Sequence, residues 1–142
     1  MKKLLYSFLI FASATLFAQK STTTKFAVAD NIVGTVDMFN AKKDLVQSMH
    51  VYKNSAALPQ SLKKFSYLAD NGIAEIKLKK TEVLDRISLA QLNEQEGVAK
   101  STPVLIDGYE FTDTETKVYA DIFKKIEVKD NNGTKAVFIS TK

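Results

Sequence analysis

The sequence contains no cysteine and one histidine, His50. Without thiols there is no disulfide, no thiol nucleophile and no thiolate metal site. One imidazole cannot supply a zinc cluster of the ordinary kind either. Arginine is as scarce, with Arg86 alone among 20 basic residues. Forked phosphate contacts favour arginine, and here acidic residues are interspersed among the lysines, which speaks against a nucleic-acid surface. The five glycines, Gly34, Gly72, Gly97, Gly108 and Gly133, are dispersed. None builds a phosphate-cradling loop, and four of them read as turn or helix-cap punctuation.

The remaining polar residues select no reaction. No Gly-x-Ser-x-Gly elbow accompanies His50, and a lone histidine beside a strand is more often a packed or surface residue than a general base. Asp130, Asn132 and Gly133 in "DNNGTK" have the look of a calcium loop, but the twelfth position is Thr141 rather than glutamate. Asp113, Glu115 and Asp121 form an acidic stretch. Such stretches are mostly solvated, and Asp113 or Thr112 is placed to cap a helix. Sixteen acidic residues give many carboxylate pairs and single out none. The sequence therefore predicts no catalytic, cofactor-binding or metal-binding residue, no enzyme activity and no cofactor.

What the chain does have begins at its start. Lys2 and Lys3 precede a nearly unbroken apolar run from Leu4 to Phe11, small residues follow, and Ala18 fits a cleavage point before Gln19. That layout is a secretory signal peptide, with an apolar part too short to span a bilayer comfortably and no basic stop-transfer segment after it. No cysteine at the cleavage point is available for a lipid anchor. The expectation is residues 1–18 as signal peptide, a periplasmic or extracellular destination, and a mature chain that does not span a membrane. The leader takes two lysines with it, so the formal charge of +4 falls to +2.

Residues 19–25 are polar and read as a flexible N-terminus. Residues 26–142 read as a single α+β domain, a mixed β-sheet packed against short helices. Its size suits one core. "FAVADNIVGTVDMF" settles on neither a strand nor a helix period, while Met38, Ala41, Leu45 and Met49 share a helical face, giving a short helix near 38–48. "HVYK" reads as a short strand. Pro59 opens a helix with Leu58, Leu62, Phe65 and Ala69 on its core face, ended by Asn71-Gly72. "IAEIKLKK" alternates as a half-buried strand, with Ala74, Ile76 and Leu78 on one side. Ser88 and Gln91 form a capping box, Leu89 and Leu92 point inward, and Gly97 closes that helix.

"PVLID" reads as a central strand with Pro103 at its start. A helical turn or two is expected from Thr114 to Phe123, using Val118, Tyr119 and Ile122. "KIEVK" and "KAVFIST" are strands joined at Asn132-Gly133, a strong hairpin signal. The order strand, polar lead-in, helix and strand occurs at 50–80 and at 104–129, which leaves a weak repeat and chance both open.

In order, "LDRISLAQLNEQEGV", "PVLIDGYEF" and "ADIFKKIEVKDNNGTKAVFISTK" make residues 73–142 resemble the plug domain of TonB-dependent outer-membrane receptors. That family shows a helix ending in Pro-Gly-Val, a strand with Ile-Asp-Gly, then Ile-Glu-x-Ile-Glu-Val, a glycine turn and a closing strand ending in Thr-Lys. The matching positions are Leu89 to Val98, Ile106-Asp107-Gly108, Lys125 to Val128, Gly133, and Ile139 to Lys142. Glu96 stands where proline is usual, the loop after "IEVK" is a tight hairpin, and the chain ends where a barrel would begin. The resemblance implies a plug-like fold that stands alone, with transport, siderophore binding and TonB contact not carried over.

Three functions remain. The first is a non-enzymatic interaction module binding a cell-envelope protein, with "KAVFIST" as a sheet edge able to accept a partner strand, or else a packed or ordinary edge strand guarded by Lys135 and Lys142. The second is a small secreted carbohydrate-binding or carboxylate-based hydrolytic domain using exposed Tyr109 and Tyr119. The third is an envelope structural protein. The sequence names no partner-binding residue and no oligomeric state.

Overall fold

A computed structural model describes residues 23–80 and 84–142. The expected signal peptide, 1–18, and residues 19–22 lie outside the described residues. β1 (Phe26–Ala29) and β2 (Ile32–Thr35) are buried throughout and pair antiparallel. Asp30 and Asn31 close them with φ of 56° and 63°. These left-handed values suit Asp and Asn, whose short polar side chains bond locally. Thr35 then caps α1 (Val36–Ala41), its hydroxyl oxygen accepting from the Met38 amide.

The expected helix over 38–48 stops early. After α1 comes a 3-10 turn, Lys43–Leu45, and Val46–Tyr52 is β3, a longer strand than "HVYK" alone. Helical spacing of Met38, Ala41, Leu45 and Met49 loses here to pairing, because β3 lies antiparallel on β4 (Ile73–Leu78). Between them Pro59 leads into a 3-10 helical segment, Gln60–Leu68, burying Leu62, Phe65 and Leu68, with Leu58 and Ala69 buried at its flanks. Gly72 turns the chain at φ 87°, where a Cβ would lie 2.5 Å from the Tyr52 carbonyl oxygen. Only glycine fits that approach. In β4 the expected alternation holds: Ala74, Ile76 and Leu78 are buried, Glu75 is half-buried and Lys77 exposed.

β5 (Arg86–Ser88) runs into α2 (Leu89–Gln95) through the expected capping box of Ser88 and Gln91. The helix ends in a Schellman motif: the Val98 amide donates to Asn93 O, the Gly97 amide to Glu94 O, and Gly97 has φ 75°. Buried Asn93 ties down the following loop by donating to the carbonyls of Lys100 and Thr102. β6 (Val104–Ile106) and β7 (Tyr109–Phe111) form a hairpin closed by Asp107 and Gly108. β8 (Lys117–Tyr119) and a 3-10 turn, Ala120–Ile122, replace the helical turns expected from Thr114 to Phe123. There Val33 and Ile32 of β2 offer an open flank, and β8 fills it in parallel register. β9 (Lys125–Asn131) and β10 (Thr134–Ser140) close the chain as the expected hairpin, with Asn132 at φ 53° and Gly133 at φ 90°.

The molecule is a single α+β domain with two mixed sheets. One has the order β3-β4-β1-β2-β8-β5 and the other β7-β6-β10-β9. In the first, pairing senses read antiparallel, parallel, antiparallel, parallel, antiparallel from either edge. Segment 50–80 stays within this sheet, whereas 104–129 is divided between both sheets, so the two do not form a repeat. The sheets interlock at Phe26. Its fully buried ring in β1 meets Tyr109 and Phe111 of β7 edge-on, with centroids 5.0 and 5.9 Å away. Tyr67 packs against Phe111 from the 3-10 segment at 5.5 Å. On the other side of β2, Gly34 leaves room for Phe39, Met38 and Tyr119; a Cβ there would sit 2.9 to 3.1 Å from all three.

Candidate functional site

Among the described residues β3 is an edge strand of the larger sheet, and its sequence, Val-Gln-Ser-Met-His-Val-Tyr, contains no lysine, arginine, aspartate or glutamate. Natural edges are usually blunted by charge, proline or a bulge, because a row of free backbone donors and acceptors invites another strand. β3 has one such device, a register shift between Val46 and Ser48. Beyond it Ser48 to Tyr52 pair regularly with β4. Met49 and Val51 stand on the same face as buried Ile76 and Ala74, yet are 38% and 43% exposed. The sheet's apolar face thus runs out to its rim uncovered.

The opposite face of β3 is polar. His50 lies across from Glu75 and Ser48 across from Lys77. The Tyr52 hydroxyl donates to Glu75 Oε1 at 3.2 Å, and the His50 and Tyr52 rings meet at 4.4 Å. Ser48, His50, Glu75 and Lys77 border a hollow of about 670 Å³ shared with Asp30, Asn31, Gln47 and Ser61. His50 therefore sits exposed on a rim beside an aromatic ring.

The acidic stretch is split. Asp113 and Glu115 border a hollow of about 430 Å³ with Asp30, and Lys64, Arg86 and Lys117 line it too, so charges of both signs mix there. Asp113 Oδ1 accepts from the Glu115 amide, shaping its own loop rather than capping a helix. Asp121 pairs with Lys42 at 3.0 Å on the far side of β8. Among the described residues no group of three His, Asp or Glu side chains is placed to hold a metal ion. Asp130 Oδ2 accepts from the Gly133 amide, a hairpin contact.

Of the two readings of "KAVFIST" the packed one holds, and the expectation for Tyr119 is corrected. "KAVFIST" is not an edge: β10 lies between β6 and β9, paired parallel to one and antiparallel to the other, and Ala136, Val137 and Ile139 are buried. The reason is β6, a central strand as expected, whose outer flank takes β10. Tyr119 is not an exposed aromatic. It is 0% exposed, its hydroxyl donates to the Ala29 carbonyl at 3.0 Å, and its ring meets Phe39 at 5.7 Å. Tyr109 is half-buried, with a hydroxyl that donates to the Asp70 carboxylate. Burial and that carboxylate push its pKa up to about 12.

Sequence reasoning passed over Asp107 as a working residue. It holds φ 50° in the β6–β7 turn, and its carboxylate accepts from the Thr141 amide at 3.0 Å and from the Thr141 hydroxyl. The same carboxylate pairs with Lys25. One side chain thus ties the entry to β1, the β6–β7 hairpin and the residue after β10. Burial works against its charge, but the hydrogen bonds from Lys25 and Thr141 outweigh that and hold its pKa below the usual carboxylate range. The Ile-Asp-Gly tripeptide carried the signal, since an aspartate before glycine in a tight turn is placed to bond outward.

Among the described residues no helix is long and apolar enough to cross a membrane. No family model, curated protein or solved structure matches this chain at a significant level.

Proposed function

We propose that this chain is an exported, non-enzymatic protein-interaction module, working in the periplasm or outside the cell, that binds a cell-envelope protein by accepting an extended segment onto β3. The observation that carries the reading is a seven-residue edge strand without a charge, whose Met49 and Val51 are exposed on the apolar face. Strand addition draws affinity from main-chain hydrogen bonds and specificity from alternate side chains. The partner segment would therefore place apolar residues beside Met49 and Val51 and polar ones beside Ser48 and His50. The leader-like start at Lys2 to Ala18 supports export. The order of α2, the Ile106-Asp107-Gly108 turn and the β9–β10 hairpin supports a plug-like fold.

The test is capture from an envelope fraction of the producing cell, comparing the exported protein with Met49→Lys and Val51→Lys. Both positions are exposed, so stability is expected to stay within about 0.5 kcal/mol in urea unfolding. Capture of the specific partner is expected to fall at least about tenfold, equivalent to about 1.4 kcal/mol. Equal capture by the wild type and both variants would remove the β3 reading.

A further inference from the structure

The smaller sheet ends in a different kind of edge. β9 reads Lys-Ile-Glu-Val-Lys-Asp-Asn, and its two faces are unlike. Ile126 and Val128 lie across from Ile139 and Val137, on the face that turns toward the core. They are nevertheless 36% and 38% exposed, because the body of the protein does not reach over them. Lys125, Glu127 and Lys129 occupy the other face, where both lysines approach Glu127 at 3.6 and 3.8 Å and Lys129 lies over the Phe138 ring.

The backbone sets which groups are free. Asn131 and Thr134 flank the two-residue turn, so they form a hydrogen-bonded pair, and pairs of that kind alternate along the hairpin. Lys129 and Glu127 then bond inward to β10, while Ile126, Val128 and Asp130 present their amides and carbonyls outward. An antiparallel strand can take up those groups.

We propose that this strand is a second copy of β9, joined about a two-fold axis through Val128 to continue the sheet across two molecules. The alternating charges carry the choice of occupant. With Val128 opposite itself, Glu127 of each copy faces Lys129 of the other, twice over, and Ile126 flanks the Val128 pair diagonally. Moving the axis by one residue either way sets Glu127 against Glu127 or Lys129 against Lys129, and like charges directly opposite are destabilising. An axis through Ile126 also matches charges, Lys125 against Glu127, but it overlaps only three residues of β9 against seven for the axis through Val128, so the Val128 register is the favoured self-complementary one. This pairing uses a sheet edge separate from β3 and does not depend on the function proposed for it.

A contact of one strand buries far less than the ~1,200 Å² of a stable interface, so dissociation is expected on the order of 100 µM. Sedimentation of the exported protein over a concentration series up to roughly 1 mM reads it. Glu127→Lys and Lys129→Glu each set like charges across the axis, and each is expected to weaken self-association about tenfold or more. Mixing the two single variants pairs lysines with glutamates again and is expected to restore association as a heterodimer. The double swap is expected to restore the homodimer and serves as the folding control. A wild type that stays monomeric throughout overturns the proposal and leaves the edge unpaired or open to another protein. Reversals without effect, or a mixture and double swap that both fail to recover, overturn it as well.

Discussion

Replacing Phe26 by alanine is expected to destabilise the protein by roughly 3–5 kcal/mol. Phe26 is fully buried in the interior of the larger sheet, and its ring is the element that reaches Tyr109 and Phe111 of the smaller one. Truncation removes its buried area and opens a cavity between two sheets that the flanking strands cannot close independently. The loss is a large share of the ~5–15 kcal/mol typical of a whole domain. Phe26→Leu keeps most of the volume and loses the edge-on ring contacts, so it should cost less, on the order of 1 kcal/mol for those contacts. Urea unfolding of both variants checks this. A Phe26→Ala loss below about 1 kcal/mol would mean that the sheets are not held together at this ring.

Replacing Asp107 by alanine is expected to cost about 2–4 kcal/mol. Hydrogen bonds to a charged group contribute about 1.5–3 kcal/mol, and alanine at a positive φ adds strain of about 1 kcal/mol. Asp107→Asn tolerates the turn but puts an amide nitrogen near Lys25 and Thr141; about half the loss is expected. The two variants also differ from the wild type in acid. Hydrogen bonds from Lys25 and Thr141, working against burial, lower the Asp107 pKa in the folded protein. Its contribution is therefore fully present above the unfolded carboxylate value of about 3.9 and is lost as pH falls through the folded value. Urea midpoints measured from neutral pH into acid should fall more steeply for the wild type than for Asp107→Asn. Parallel profiles would show that this carboxylate does not link the entry to β1 with the residue after β10.

Where structure follows from neighbours in sequence, the residues announce it. Asn132-Gly133 marks its hairpin, Ser88 and Gln91 mark a helix start, Gly97 marks the end, and alternation from Ile73 to Leu78 marks a half-buried strand. The first hairpin was harder to read because its turn, Asp30-Asn31, has no glycine and its strands are buried on both faces, so they carry no alternation. Val118 and Ile122, four residues apart, suit one face of a helix, and the place of Val118 beside β2 decides for a strand. Edge and centre are settled by pairing over long separations. β10 looks like an edge in the sequence because it closes the chain, but β6, more than thirty residues earlier, covers its free side. "HVYK" reads as a short strand, and the position of the longer β3 at the end of the sheet order among the described residues depends on pairing that no local pattern carries.

The claim at the centre of this account is that a partner strand lies along β3. A photo-crosslinking side chain introduced at Val51 in the producing cell, with Lys100 on the exposed loop after α2 as control, reports on it directly. The prediction is one discrete protein adduct from position 51, lost when Met49 is also changed to lysine, and none from position 100. No adduct at position 51, or the same adducts from both positions, would contradict it.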